Sequence, residues 1–197
     1  MGGYYIIMKK IVFIFFAIAL NLLILKPAFA ADLFLSPNSG DLIGGQKFDV
    51  SVKVRTGGEE TLNAVQGRVG FDKEQVEVVS ISKESSVFNF WFQEPIFSNE
   101  NGTVDFTGGV IGGVAGESLQ TVKITFKLKI KEGTLSLNFI GDNSSIAAND
   151  GLGTNILLQL LGATFKITPP APVVEPPKPK PGEPAPKPVP VTPPPPT

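Results

Sequence analysis

The sequence predicts an all-β fold in which two sheets pack face to face as a sandwich. Three observations lead to this prediction. Residues 119–131 alternate between apolar and polar side chains, and about nine runs of this kind lie between residues 33 and 168. Turn residues separate the runs at the spacing expected of a sandwich. No segment in that range shows the period of an amphipathic helix.

The alternation is clearest in residues 119–131. Side chains in a strand point to opposite faces with a period of two, so this stretch has one apolar face and one face rich in lysine. The apolar residues are Val122, Ile124, Phe126, Leu128 and Ile130. The polar residues are Lys123, Thr125, Lys127, Lys129 and Lys131. The apolar face must lie on a second layer. For the lysines at 123, 127 and 129 we expect solvation and protection against edge pairing.

Residues 1–30 have the pattern of a secretory signal peptide. Lys9 and Lys10 precede an apolar run over residues 11–25, and Ala28 and Ala30 give the small-residue cleavage pattern. An uncleaved anchor helix is the alternative, although a run of about 15 apolar residues is short for a bilayer. Either reading predicts export, with the rest of the chain secreted or associated with the cell surface.

The predicted domain of residues 31–168 contains short strands between turns. They cover residues 33–35, 48–54, 65–71, 76–81, 87–93, 104–106, 119–131, 135–139 and 163–167. Asn101-Gly102 is typical of a hairpin turn, and residues 141–155 are expected to form a loop. Residues 156–161 are apolar throughout, so they form either a buried strand or one helical turn.

From residue 169 to residue 197 the chain is mostly proline. Such a segment cannot bury a core, and we expect a disordered or extended polyproline spacer of about 3 Å per residue. It either precedes a further module or anchor, or holds the domain away from a surface. Attachment to a membrane is therefore expected only through an uncleaved leader or a C-terminal anchor beyond Thr197.

Composition excludes several classes of function. The chain has no Cys and no His, which removes disulfides, Ser-His-Asp triads and thiolate or imidazole metal sites. Without the three leader lysines the charge is about four units negative, which argues against nucleic acid as a partner. An enzyme would depend on carboxylates alone, and no motif proposes a catalytic pair. We therefore expect no enzymatic activity, no cofactor and no metal.

One loop could still bind a cation. Residues 149–155 are rich in oxygen ligands, but they lack the spacing and the closing Glu of an EF-hand loop. A plain turn is the favoured interpretation, and calcium is the alternative.

The candidate binding surface centres on an aromatic run. If residues 87–93 form a strand, then Phe88, Phe90 and Phe92 face the core and Trp91 points outward. An outward Trp could stack on a sugar or anchor a protein partner. The polar residues that could surround it are Gln66, Arg68, Asn89, Asp105 and Thr107. The alternatives are a Trp covered by its own chain and an ordinary solvated face.

Several short motifs, in order, resemble a cohesin domain, the receptor module of cellulosomal scaffold proteins. They are Leu35-Ser36-Pro37, Phe48-x-Val50-x-Val52, Val69-Gly70-Phe71-Asp72, Val76-Glu77-Val78, Gly102-Thr103-Val104, residues 119–129 and Ala147-Ala148-Asn149-Asp150-Gly151. The resemblance implies a nine-stranded jelly roll without catalytic activity. Such a module binds dockerin through one sheet face and assembles enzymes of polysaccharide breakdown.

The resemblance also identifies departures. Cohesins usually have Pro where this chain has Lys73, and many type I cohesins contact dockerin through Asn and Asp at the positions of Ala64 and Gln66. Three hypotheses follow: binding of a dockerin-like protein module, direct binding of polysaccharide with Trp91 as the platform, and a structural or adhesive surface domain.

Overall fold

The computed structural model describes residues 30–58 and 60–171. The predicted signal peptide and most of the proline-rich tail lie outside these residues. In the described part, no helix is long and apolar enough to cross a membrane.

The described chain consists of strands and one 3-10 helix, Gly141–Asn143. The strands are β1 (Ala31–Ser36), β2 (Ser39–Ile43), β3 (Lys47–Thr56), β4 (Leu62–Phe71), β5 (Val76–Ser82), β6 (Phe90–Ser98), β7 (Thr103–Val114), β8 (Leu119–Leu128), β9 (Gly133–Phe139), β10 (Ser145–Ala148), β11 (Leu157–Leu161) and β12 (Ala163–Thr168).

The strands form two sheets. Sheet I has the order β11-β1-β3-β8-β5, and sheet II has the order β2-β12-β9-β4-β7-β6, with β10 paired to β4. Most pairs are antiparallel, while β1–β11 and β2–β12 are parallel. The predicted all-β sandwich is confirmed.

The core lies between the two sheets and follows the predicted alternation. Val52 of β3 faces Val122 of β8, and Phe48 faces Phe126 in the same ladder. Val52, Val122 and Phe126 have no exposed surface. On sheet II, Val65 and Val69 are equally buried, with Gly67 between them. Burial of this apolar surface, at about 25 cal/mol per Å², is the main force that holds the sheets together.

Two strands were not predicted: β2 follows the first turn directly, and β10 lies inside the predicted 141–155 loop. Residues 156–161, predicted as either a buried strand or one helical turn, contain the strand β11, which is mostly exposed. β2 and β10 are short and carry small or polar residues, so their alternation is too brief to recognise. Each is held by pairing with one neighbouring strand, β2 with β12 and β10 with β4.

The lysine-rich face of β8 is not at an edge. β8 lies between β3 and β5, so protection against edge pairing is not the role of Lys123, Lys127 and Lys129. Lys123 lies 3.9 Å from Asp49, and Lys127 lies 3.7 Å from Glu77. These partly exposed pairs are worth at most about 1 kcal/mol each, so this face is mainly solvated.

Candidate functional site

The outer face of β10, β4, β7 and β6 in sheet II, which we call the β4–β7 face, collects four of the six predicted site residues. Gln66 pairs with Thr107, and Arg68 pairs with Asp105, in the antiparallel ladder of β4 and β7. They point away from the core because the intervening Val65, Gly67 and Val69 are buried. The strands that carry these four polar residues are therefore neighbours in the sheet.

Arg68 is held in place by its neighbours. Its Nε donates to Asp105 Oδ1, and an Nη1 hydrogen bond of 3.3 Å reaches Asn143 Oδ1 in the 3-10 helix. The Arg68 backbone N–H also donates to Ser144 Oγ, whose hydroxyl donates to the Ile140 carbonyl. The charge of Arg68 is thus paired within the domain, and the same bonds hold the 3-10 helix beside the face.

The predicted outward orientation of Trp91 is wrong. Trp91 of β6 pairs with Gly108 of β7, and Gly108 also pairs with the buried Val65 of β4. Paired residues point to the same side of a sheet, so the indole lies on the inner side. It packs edge-on against the buried Phe88 at a centroid distance of 5.5 Å. The Lys83 ammonium lies 5.6 Å from the Trp91 ring and covers it. Trp91 is partly buried and packs against the core, so it is not the outward contact that was predicted.

Phe90 and Phe92 take the outward position instead. Phe90 pairs with Gly109, which aligns with Ala64 on the outer face. The register shifts between Trp91 and Gln93, so Phe92 is an extra residue in a β-bulge, and it is 69% exposed. The two rings meet edge to face, 4.9 Å apart. An unbroken period of two predicts both rings in the core, and the register shift at Phe92 breaks that period.

Asn89 does not join this face. It is exposed just before β6, and its backbone N–H donates to the Gly109 carbonyl at 3.1 Å. Its role is to align the start of β6 with β7.

Phe90 and Phe92 line a shallow pocket of about 240 Å³. Ala64, Ile111 and Asn149 are among the other lining residues. Ile111 is 81% exposed, although it lies in the last part of a long strand. Ile96, paired with Asp105, adds a third exposed apolar side chain to the same face. Exposed apolar clusters of this kind mark interaction sites.

The loop at residues 149–155 is held by internal hydrogen bonds to the Asp150 carboxylate. Asp150 Oδ1 accepts from the backbone N–H groups of Leu152 and Gly153, and Asp150 Oδ2 accepts from the Thr154 hydroxyl. The bond from Thr154, followed by that from Leu152, holds the pKa of Asp150 below its ordinary value. The described residues contain no group of three or more His, Cys, Asp or Glu that could hold a metal ion.

Comparison with known proteins identifies solved structures of similar fold. No family model matches the sequence, and no curated protein does. Solved structures do match. The seventh ScaB type I cohesin from Pseudobacteroides cellulosolvens has a TM-score of 0.60 at 15% identity, over 74% of this chain and 97% of that one. The third ScaC cohesin bound to a ScaB dockerin from Acetivibrio cellulolyticus scores 0.56 at 15% identity, over 70% and 99%.

The chain has the cohesin fold. A non-cellulosomal cohesin from the archaeon Archaeoglobus fulgidus is also similar, with a TM-score of 0.55 at 14% identity over 71% of this chain and 91% of that one. The two positions that the resemblance associates with dockerin contact, Ala64 and Gln66, lie on the β4–β7 face.

Proposed function

We propose that this protein is a non-catalytic, exported binding module whose β4–β7 face captures a dockerin-type protein partner. One observation carries the proposal: the cohesin-fold face that includes Ala64 and Gln66 also bears the most exposed apolar side chains of sheet II, Phe92 and Ile111. Desolvation of such residues at the centre of an interface supplies most of its binding free energy.

The fold neighbours support a protein partner. Several of them are cohesins solved in complex with dockerins, including the Acetivibrio cellulolyticus pair and a Clostridium thermocellum pair. By this proposal the module serves to assemble dockerin-bearing enzymes of polysaccharide breakdown. A partner of ordinary size would bury about 800 Å² of this module.

Direct polysaccharide binding loses its main argument. That hypothesis depended on an outward Trp91, and the indole packs on the inner side of the sheet against the core. Phe90 and Phe92 meet at an interplanar angle of 81°, so they do not form a coplanar platform for a sugar chain.

The experiment is a binding assay with the full chain immobilised and a panel of purified dockerin modules in solution. Thr107→Arg places a long charged side chain in the middle of the β4–β7 face. Thr125→Arg does the same on the outer face of sheet I and serves as the matched control. We expect at least one dockerin to bind, with affinity lowered tenfold or more by Thr107→Arg and unchanged by Thr125→Arg.

Equal loss of affinity in both variants would contradict the assignment of this face. Binding to none of the dockerins, combined with retention on insoluble polysaccharide, would favour the glycan hypothesis. Absence of both would favour a structural surface domain.

A further inference from the structure

We propose that the pocket lined by Ala64, Phe90, Phe92 and Ile111 receives one large apolar side chain from a helix of the partner, flanked there by uncharged or basic residues. The inference rests on the proposed function and specifies the chemistry of the partner. Three features of the β4–β7 face support it: the shape of the pocket, the position of a second apolar contact and the distribution of charge.

The pocket has room for a side chain because two of its lining residues are small. Ala64 contributes only a methyl group, and Gly112 contributes no side chain. The ring of Phe90 occupies the space above Gly109, where an added Cβ would lie 2.5 Å from Phe90 Cζ. Phe92 and Ile111, both highly exposed, complete the apolar lining. An inserted side chain would remove these apolar surfaces from water.

A second apolar contact lies along the same strands. Ile96 is at the ladder level of Arg68, four residues along β4 from Ala64, which is about 13 Å at the rise of a strand. Gln66 and Thr107 occupy the level between them. A helix laid along β4 covers this distance in two to three turns, with an apolar side chain at each end and polar ones between. The dockerin of the Acetivibrio cellulolyticus complex has a C-terminal helix, which provides such an element in that protein.

Charge restricts the partner further. Among β4, β6, β7 and β10, Arg68 is the single cationic residue, and it is paired with Asp105. Asp142 and Asp150 lie in the loops beside β10, whereas Glu94 of β6 is paired with Lys83 at 2.6 Å. The basic residues are concentrated instead on the outer face of sheet I, where Lys53, Lys123 and Lys127 lie. An acidic helix would meet like charge on this side, whereas a neutral or basic one would not.

The test uses a library of the Acetivibrio cellulolyticus ScaB dockerin with the exposed positions of its C-terminal helix randomised. The library is displayed and selected against the full chain. We expect the selected helices to share one large aliphatic or aromatic residue, with uncharged or basic neighbours. Affinities are then measured for the wild-type chain and for Ala64→Asn, Phe92→Ser, Thr107→Arg and Thr125→Arg.

Ala64→Asn should fill the pocket and Phe92→Ser should remove its wall, so each should weaken the selected binders tenfold or more. Thr125→Arg should have no effect. Phe92 is mostly exposed, so its replacement tests the pocket even if Ala64→Asn fails to fold. If the selected binders lose affinity for Thr107→Arg but bind both pocket variants as tightly as the wild-type chain, this inference is overturned and the proposed function stands. If the library yields no binders, or if the binders have the same affinity for all variants, both this inference and the proposed function are overturned.

Discussion

The ring of Phe90 lies directly over the Cα of Gly109, in the space that a side chain at residue 109 would occupy. A Cβ added to Gly109 would lie 2.5 Å from Phe90 Cζ and 3.0 Å from the Asn63 carbonyl oxygen. On the other face of the same sheet, a Cβ at Gly108 would lie 2.9 Å from Trp91 Cζ3. Consecutive glycines in β7 thus allow aromatic rings of β6 to lie close to both faces of the sheet.

Gly109→Ala should therefore destabilise the fold and distort the pocket. The added methyl group must displace Phe90, and overpacking of this kind costs about 1–3 kcal/mol. Gly141→Ala is the control, because a Cβ there meets only Leu160 at 3.7 Å. Urea unfolding should show a lower free energy of unfolding for Gly109→Ala than for Gly141→Ala. Equal values for the two variants would contradict the close packing of Phe90 on Gly109.

Substitutions at Trp91 and Phe92 should affect different properties: the first should lower the stability of the fold, and the second should weaken partner binding. Trp91 packs against Phe88 and the core, so Trp91→Ala should lower the free energy of unfolding by roughly 2–4 kcal/mol. Phe92→Ser changes a largely exposed side chain, and its effect on unfolding should stay below about 1 kcal/mol. Thermal unfolding and partner-binding assays, each carried out on both variants, distinguish the two effects. A stable Trp91→Ala variant with impaired partner binding would restore the outward assignment of Trp91.

Asn99 should stabilise the edge of sheet I. Its side-chain Oδ1 accepts from the Val78 N–H at 2.8 Å, and its Nδ2 donates to the Val78 carbonyl at 3.0 Å. Both bonds imitate those of a neighbouring strand at the point where β5 is bulged. Asn99→Ala leaves both backbone groups without this partner and should cost about 1–3 kcal/mol.

The control for Asn99 is Asn89→Ala, since Asn89 is exposed and bonds Gly109 through its backbone. Native-state hydrogen exchange should also show faster exchange of the Val78 amide in Asn99→Ala alone. Unchanged protection of that amide would show that water replaces the side chain at no cost.

The contribution of the 149–155 loop to the free energy of unfolding should depend on pH. Because the pKa of Asp150 is lowered in the folded state, its contribution to stability is present above the ordinary pKa of about 4 and is lost as pH falls through the lower folded value. The difference in unfolding free energy between wild type and Asp150→Ala should therefore shrink below about pH 4. Thr154→Val removes the largest cause of the shift and should raise the pKa of Asp150 toward its ordinary value. An NMR titration of the Asp150 carboxyl carbon that shows the same pKa in both proteins would contradict this account.

Much of the architecture was predictable because one period dominates each strand. Val122, Ile124 and Phe126 are buried as the alternation requires, and the same holds for Val50, Val52 and Val54. The outward orientation of Gln66, Arg68, Asp105 and Thr107 was also predicted, although their pairing across β4 and β7 was not. These predictions succeed because a misplaced strand would expose a whole apolar face to water.

The aromatic part of the site was not predictable in the same way. In residues 88–92 both alternating sets contain aromatic residues, so hydrophobicity did not distinguish the inner face from the outer one. A bulge at Phe92 and a second register shift before Ile96 then alter the orientation of the side chains. The available signal was the Gly108-Gly109 pair, which shows where rings from a neighbouring strand approach the backbone closely.

By itself, the sequence determined the class of fold and the side chains that fill the space between the sheets, because period-two burial is a local property of each strand. It also determined the distribution of charge along each strand. Only the tertiary structure decided that Phe90 and Phe92 face outward and that Trp91 packs inward against the core. That outcome depends on the register between β6 and β7 and on which strands lie side by side, and both are set by contacts between distant parts of the chain.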